Sequence, residues 1–235
     1  MILIFIFWED ALTRYFAEER QLSAGSRGSV TLLRHRESGQ RFILRRTQGS
    51  AAVYEALLPL RSPYLPQVYA VAERDGTVLV LEEYICGDPL DELLTAAPCT
   101  PRQTAKIAGD ICKALWVLHG LGLVHRDVKP DNILLRGEHA VLLDLDAARI
   151  VTPARTADTV VLGTTGYAAP EQYGLSQTDG RADIYALGVT MNIMLTGKHP
   201  SMGLAKGRLG KVIRRCTQIA PEQRYPTVEA LLRAL

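Results

Sequence analysis

The sequence predicts an α+β chain in two parts, a small β-rich one and then a larger, mainly α-helical one. Two observations predict it. Residues 20–85 hold short β-type apolar runs separated by turn residues, and from residue 101 the apolar residues fall at helical spacing. Composition fits a folded chain: of 235 residues, 47% are hydrophobic and 22% charged, and the net charge is +2. That much apolar material excludes a disordered chain. So balanced a charge points to no nucleic-acid partner and no membrane surface. Four cysteines stand at 86, 99, 112 and 216, without CxxC or metal-ligand spacing. They read as reduced thiols of a cytoplasmic protein, not as a disulfide framework.

The first element is an apolar run, Met1 to Trp8, ended by Glu9 and Asp10. A bilayer span needs ~20 apolar residues, and a signal peptide needs a basic start and a cleavage site. The run therefore reads as a short strand or an ill-placed start, with weak membrane association second, and no integral membrane segment is expected. Residues 1–19 form an N-terminal extension on this reading. Strands follow at 30–33, 42–44, 67–72 and 77–81. Glu37-Ser-Gly-Gln40 and Arg74-Asp-Gly76 supply turns, the second a hairpin turn between two apolar runs. A short helix fits near 50–61, ended by Pro63. The composition changes near Gly87-Asp88-Pro89, and ligand sites often lie at such seams.

The helical part opens at Thr100-Pro101, an N-cap followed by proline at the first helical position. Ile107, Ile111, Leu115 and Leu118 then share one face. Further helices are expected at 183–195, 209–219 and 227–235.

The strongest chemical signal is His125-Arg-Asp-Val-Lys-Pro-Asp-Asn132. It resembles the catalytic loop of protein kinases, and further motifs follow in the matching order. The chain resembles a bacterial-type, eukaryotic-like Ser/Thr protein kinase over about residues 20–235. The resemblance implies a two-lobed kinase fold. Its N-lobe, about 20–86, would be a small antiparallel β-rich lobe with one short helix; its C-lobe, about 87–235, would be larger and mainly α-helical. It implies ATP and Mg²⁺ as cofactors and a protein as substrate. Nothing in the sequence names that substrate or an oligomeric state.

Residue by residue, the resemblance makes Asp127 the group that accepts the substrate hydroxyl's proton. Lys129 would reach the transferring phosphoryl, and Asn132 would hold a metal ion. Asp144-Leu145-Asp146 stands where the family has Asp-Phe-Gly, which makes Asp144 the second metal ligand. An alternative register makes Asp146 the ligand; Ala148-Arg149 aligns better with Asp144. Asp146 replaces a glycine, and aspartate tolerates a positive φ there better than most residues. Gly163-Thr-Thr-Gly-Tyr-Ala-Ala-Pro-Glu171 resembles the end of an activation segment. Thr164 would contact Asp127, Glu171 would pair with Arg224, and Asp183 would hold the catalytic loop's backbone. His125 reads as a structural residue. Thr156 or Thr159 would take an autophosphorylation that Arg126 could pair with.

Leu22-Ser-Ala-Gly25-Ser-Arg-Gly28-Ser-Val30 resembles the glycine-rich loop, with Ser23 for the first glycine. Leu22, Gly25, Gly28 and Val30 would cover the nucleotide, Val30 on the adenine. Glu83, Tyr84 and Ile85 would supply the hinge, with Glu83 and Ile85 contacting adenine. Fifteen residues after Val30, where the family has a lysine, stands Arg45. It keeps the charge for phosphate but not the shape. The lysine's usual helical Glu partner is unsettled. Glu55 is the only acid between Arg45 and Pro63, but family spacing lands on Val53, about 200° away on a helix. Either the helix is re-phased to aim Glu55 inward, or that pair is absent. Glu82 takes the gatekeeper position, where a carboxylate needs a partner. We expect Arg45 and Glu82 to form a bidentate pair in place of the Lys–Glu pair, against the alternative that Glu82 reaches outward.

The resulting function is a Ser/Thr protein kinase. The alternative is a pseudokinase, a nucleotide-binding or scaffold module, on the strength of Arg45, Ser23, Glu82 and Asp146. A small-molecule phosphotransferase is a third reading, opposed by the activation segment and its Ala-Pro-Glu.

Overall fold

The computed structural model describes residues 2–25, 28–151, 164–173 and 178–235. They form two compact units, Met1–Ser62 with Pro66–Cys86, and Pro63–Leu65 with Gly87–Leu235.

The first unit is built on a five-stranded antiparallel sheet. Its strands are β1 (Phe16–Gly25), β2 (Gly28–His35), β3 (Arg41–Gln48), β4 (Val68–Arg74) and β5 (Thr77–Glu83), in the order β1-β2-β3-β5-β4. The Asp75-Gly76 turn joins β4 to β5 with φ of 50° and 75°. Two successive left-handed residues are what a tight hairpin of this hand needs. Before the sheet runs helix α1 (Ile2–Tyr15), where the sequence suggests a short strand. An apolar run this short carries no period that separates strand from helix. The helix formers Glu9, Ala11, Leu12 and Arg14 extend it, and it lies against β4, with Trp8 on Ala72 and Leu79. Strand β1 starts at Phe16, four residues before the expected domain start; most of it is exposed and polar, so no alternation announces it. The short helix α2 is only Ala52–Glu55.

The second unit contains β6 (Asp88–Pro89), α3 (Leu90–Ala96), α4 (Pro101–Gly120), β7 (Leu123–Val124), β8 (Ile133–Arg136), β9 (His139–Leu142), β10 (Arg149–Ile150), α5 (Gly180–Thr196), α6 (Gly207–Cys216) and α7 (Val228–Leu232). Strands β6, β8 and β9 form one small antiparallel sheet, and β7 with β10 another. The central helix α4 starts on a capping box. The Gln103 N–H donates to Thr100 Oγ1 at 3.3 Å, and the Thr100 N–H donates to Gln103 Oε1 at 2.9 Å. Ile107, Ile111, Leu115 and Leu118 are all buried, each stabilising the unit by about 1.5–3 kcal/mol. Helix α5 begins three residues before the expected 183, because Asp179 caps it by accepting the Arg181 N–H at 2.8 Å. It ends at Gly197, whose φ of 66° suits glycine. Among the described residues, no helix is long and apolar enough to cross a membrane.

The α+β class holds as the sequence predicts, with a β-rich first unit and a mainly helical second one.

Candidate active site

The candidate site in the second unit is centred on the turn between β7 and β8. Arg126 sits there at φ 70°, an unfavourable conformation for a long side chain. Two buried side chains hold it. Asp183, on α5 and 0% exposed, accepts the His125 N–H at 2.9 Å and the Arg126 N–H at 2.7 Å. Gln172 donates to the Arg126 carbonyl at 3.0 Å. Asp183 Oδ2 also lies 2.8 Å from His119 Nε2. Burial alone would push the Asp183 carboxyl up. The bonds and charges of His119 and its other partners outweigh burial and hold it below the usual aspartate range.

This frame presents Asp127. Its Oδ1 accepts the Thr164 hydroxyl at 2.7 Å and the Thr164 N–H at 3.2 Å. Its Oδ2 lies 3.0 Å from Lys129 Nζ and 3.0 Å from Asn132 Nδ2. Lys129 Nζ also donates to Thr164 Oγ1 at 2.6 Å. Four donors thus meet a carboxylate with about four lone-pair sites. Burial would raise the Asp127 carboxyl; hydrogen bonds from Thr164 and Lys129, and the Lys129 charge, prevail and hold it below the usual range. The structure therefore brings Asp127, Lys129, Asn132 and Thr164 together.

Asn132 is tied to the segment that carries Asp144. The Leu143 N–H donates to the Asn132 carbonyl at 2.8 Å, and His125 Nε2 lies 3.0 Å from the Leu143 carbonyl. Asn132 Nδ2 also donates to the Asp127 carbonyl at 2.9 Å. With the amide nitrogen committed to Asp127, the amide oxygen is the atom left to face a cation. That oxygen and the Asp144 carboxylate are hard donors of the kind Mg²⁺ takes. Asp144 is itself left-handed, at φ 64°, and its Oδ1 accepts the Asp146 N–H at 3.2 Å. The positive φ expected at Asp146 thus falls two residues earlier, and the Asp144 side chain closes the turn that stabilises it.

Glu171 and Arg224 form the expected buried pair, bidentate at 2.6 and 2.8 Å. Arg224 also donates to three backbone carbonyls and lies 4.9 Å from the Tyr185 ring centroid. Thr156 and Thr159 lie outside the described residues.

In the first unit, Gly25 and Gly28 face each other across the β1–β2 hairpin. Gly28 has φ 150°, and a Cβ there would run into the Arg46 carbonyl, so the hairpin needs glycine at this position. Leu22 is 41% exposed, and Ile85 is buried. Glu83 closes β5, its N–H donating to the Gln67 carbonyl at 2.8 Å. Val30 of β2 and Val80 of β5 both stand opposite Arg45. Arg45 and Glu82 are each 7% exposed, and Arg45 Nε and Nη2 lie 3.3 and 3.2 Å from Glu82 Oε1. The expected pair is present, although both of these contacts converge on one oxygen. Glu82 does not reach outward. Glu55 is exposed while Tyr54 is buried, so α2 is not re-phased to turn Glu55 inward.

Sequence reasoning missed His119 and Gln172. His119 lies in the last turn of an apolar helix, and Gln172 follows the Ala-Pro-Glu; neither position has a pattern that marks a loop anchor.

The comparisons with known proteins agree with this geometry. Residues 16–231 match the protein kinase domain. Serine/threonine-protein kinase D of Synechocystis sp. is 33% identical over 199 residues, 73% of this chain and 38% of that protein. Serine/threonine-protein kinase PknB of Mycobacterium leprae is 32% identical over 75% of this chain and 30% of that protein. Serine/threonine-protein kinase pkn2 of Myxococcus xanthus is 30% identical over 78% of this chain and 23% of that protein. The chain thus spans well under half the length of these relatives. With its catalytic-loop frame and a match over residues 16–231, the chain belongs to the protein kinase domain family.

Proposed function

We propose that residues 20–235 are a Ser/Thr protein kinase domain, which transfers the γ-phosphoryl group of Mg-ATP to Ser and Thr hydroxyls of proteins. The observation that carries this reading is the Asp127 carboxylate, held ionised between Lys129, Asn132 and Thr164. An incoming hydroxyl replaces one of its four donors. The Thr164 N–H, at 3.2 Å, is the longest of the four and the easiest to give up. The hydroxyl oxygen attacks the γ-phosphorus, the bond to the ADP oxygen breaks, and the hydroxyl proton passes to Asp127. Lys129 is at hand to offset charge on the transferring group. Asn132 and Asp144 would hold Mg²⁺, which when bound neutralises charge on the phosphates. Leu22, Gly25, Gly28 and Val30 would cover the nucleotide, Glu83 and Ile85 would contact adenine, and Arg45 would meet phosphate. Autophosphorylation on Thr156 or Thr159 belongs to the same reading.

The test is label transfer from γ-labelled ATP to a generic basic protein, followed by phosphoamino-acid analysis. The reading requires Mg²⁺-dependent phosphoserine or phosphothreonine that Asp144→Asn removes. Label that survives chelation of the metal would refute it. A second reading, a nucleotide-binding module without turnover, is favoured by the engagement of Arg45 with Glu82. It requires ATP binding with no transfer.

A further inference from the structure

The buried charge pair of the first unit is not explained by stability. Arg45 and Glu82 are each 7% exposed. Replacing such a pair by apolar residues of similar volume is often neutral or stabilising, so packing alone does not call for two charges here. The geometry points to another role. Arg45 stands opposite Val80, and Glu82 opposite Ile43, so the two side chains are diagonal neighbours on one face. Strands β3 and β5 are both interior to the sheet, with ladder partners on each side. Their register fixes where both side chains start. Arg45 Nε and Nη2 then converge on Glu82 Oε1 at 3.3 and 3.2 Å, which sets the plane of the guanidinium. Val30 lies opposite Arg45, and Gly28 is two residues further along β2, on the same face. The one acid of the short helix, Glu55, is exposed.

We infer that Glu82 is the positioning residue for Arg45, aiming its guanidinium at the nucleotide's phosphates from within the sheet. This rests on the nucleotide-binding part of the function proposed above. It has a regulatory consequence. The phosphate-facing cation is aligned by a neighbouring strand, so movement or loss of α2 does not switch it off.

The test measures the affinity of the whole chain for ATP and for adenosine, by calorimetry, beside its melting temperature. Adenosine has no phosphate, so it reports the pocket without Arg45's contribution. Glu82→Gln is expected to weaken ATP about tenfold, the equivalent of one lost charge-assisted bond, and to leave adenosine within about twofold. Glu55→Ala is expected to change neither. The exchanged pair, Arg45→Glu with Glu82→Arg, separates positioning from structure. It is expected to recover melting temperature lost in Glu82→Gln without recovering ATP affinity. Recovery of both, or equal losses for ATP and adenosine in Glu82→Gln, would overturn the inference. Should Glu82→Gln fail to fold, Glu82→Asp, which keeps the charge but shortens its reach to Arg45, decides it by the same comparison of ATP with adenosine. A wild type that binds ATP with this selectivity but transfers no phosphate would sink the kinase reading and leave the inference standing. A wild type that does not bind ATP would sink both.

Discussion

Asp183→Asn couples the fold of the second unit to its chemistry. Asp183 is fully buried, with two backbone donors at 2.7 and 2.9 Å and His119 at 2.8 Å. Asparagine has nearly the same shape, but only one of its two terminal atoms accepts. Whichever way the amide is turned, its NH₂ must face a buried donor that the carboxylate oxygen satisfied. A buried donor left without an acceptor costs about 1–3 kcal/mol, and the lost charge-assisted bonds push the total to about 3 kcal/mol. For a chain of this size, each kcal/mol lowers Tm by roughly 2–4 °C, so the variant should melt ~6–12 °C below wild type. Function should suffer too. The donors are the N–H groups of His125 and Arg126, immediately before Asp127, and Arg126 is held at φ 70°. Releasing them lets Arg126 relax and moves Asp127, and a displacement of about 1 Å at the reacting atoms costs on the order of 100-fold in rate. Calorimetric melting and steady-state phosphotransfer, on the same preparation, read both effects. An Asp183→Asn protein that melts within about 1 °C of wild type and keeps its rate would refute this reasoning.

Other predictions follow from the same geometry. Glu171→Ala leaves the fully buried Arg224 guanidinium with backbone carbonyls but no carboxylate, and should cost about 3–5 kcal/mol in urea denaturation. The double variant Glu171→Met with Arg224→Leu should recover much of that, and an unstable double with a stable single would contradict it. Asp127 and Asp183 are held below their ordinary value of 3.8, so their stabilisation is complete above that pH and fades as pH falls through the lowered values. The urea midpoint should therefore show no loss from these groups between about pH 7 and pH 5 and should fall below about pH 4, less steeply in Asp183→Asn. Burial pushes the Cys112 thiol up to about 12 and raises Cys216 as well, whereas Cys86 is exposed. A thiol reagent at pH 8 should label Cys86 in the native protein, and Cys112 and Cys216 only after denaturation; rapid labelling of all three would count against this packing.

Much of the second unit was legible because its signals are local. The cap at Thr100 with Pro101 after it, the spacing of Ile107, Ile111, Leu115 and Leu118, and the order of His125 to Asn132 each lie within one stretch of chain. Contacts between distant residues were legible only through the family resemblance, as with Asp183 beneath the loop and Glu171 with Arg224. His119 and Gln172 had neither kind of signal. In the first unit, the resemblance placed Glu82 at the gatekeeper position facing Arg45, the need of a buried carboxylate for a partner joined them, and the strand register bears this out. The N-terminal helix was not legible, because Ile and Phe suit a strand and the helix is stabilised by what lies beneath it, at β4. Strand β1 has the opposite difficulty: its polar, exposed sequence forms a strand because β2 pairs with it.

Phosphotransfer by the wild type beside Asp127→Asn is the most direct single test. Asparagine keeps the size of the side chain and the bond to Thr164 Oγ1 but cannot take up the substrate proton. Label should pass from γ-labelled ATP to Ser or Thr in the wild type, and transfer should fall by 100-fold or more, the lower end of what a positioned base contributes, in a variant that still folds and binds ATP. Equal transfer by both proteins would contradict the role given to Asp127. No transfer by either, from folded protein that binds ATP, would make the chain a nucleotide-binding module.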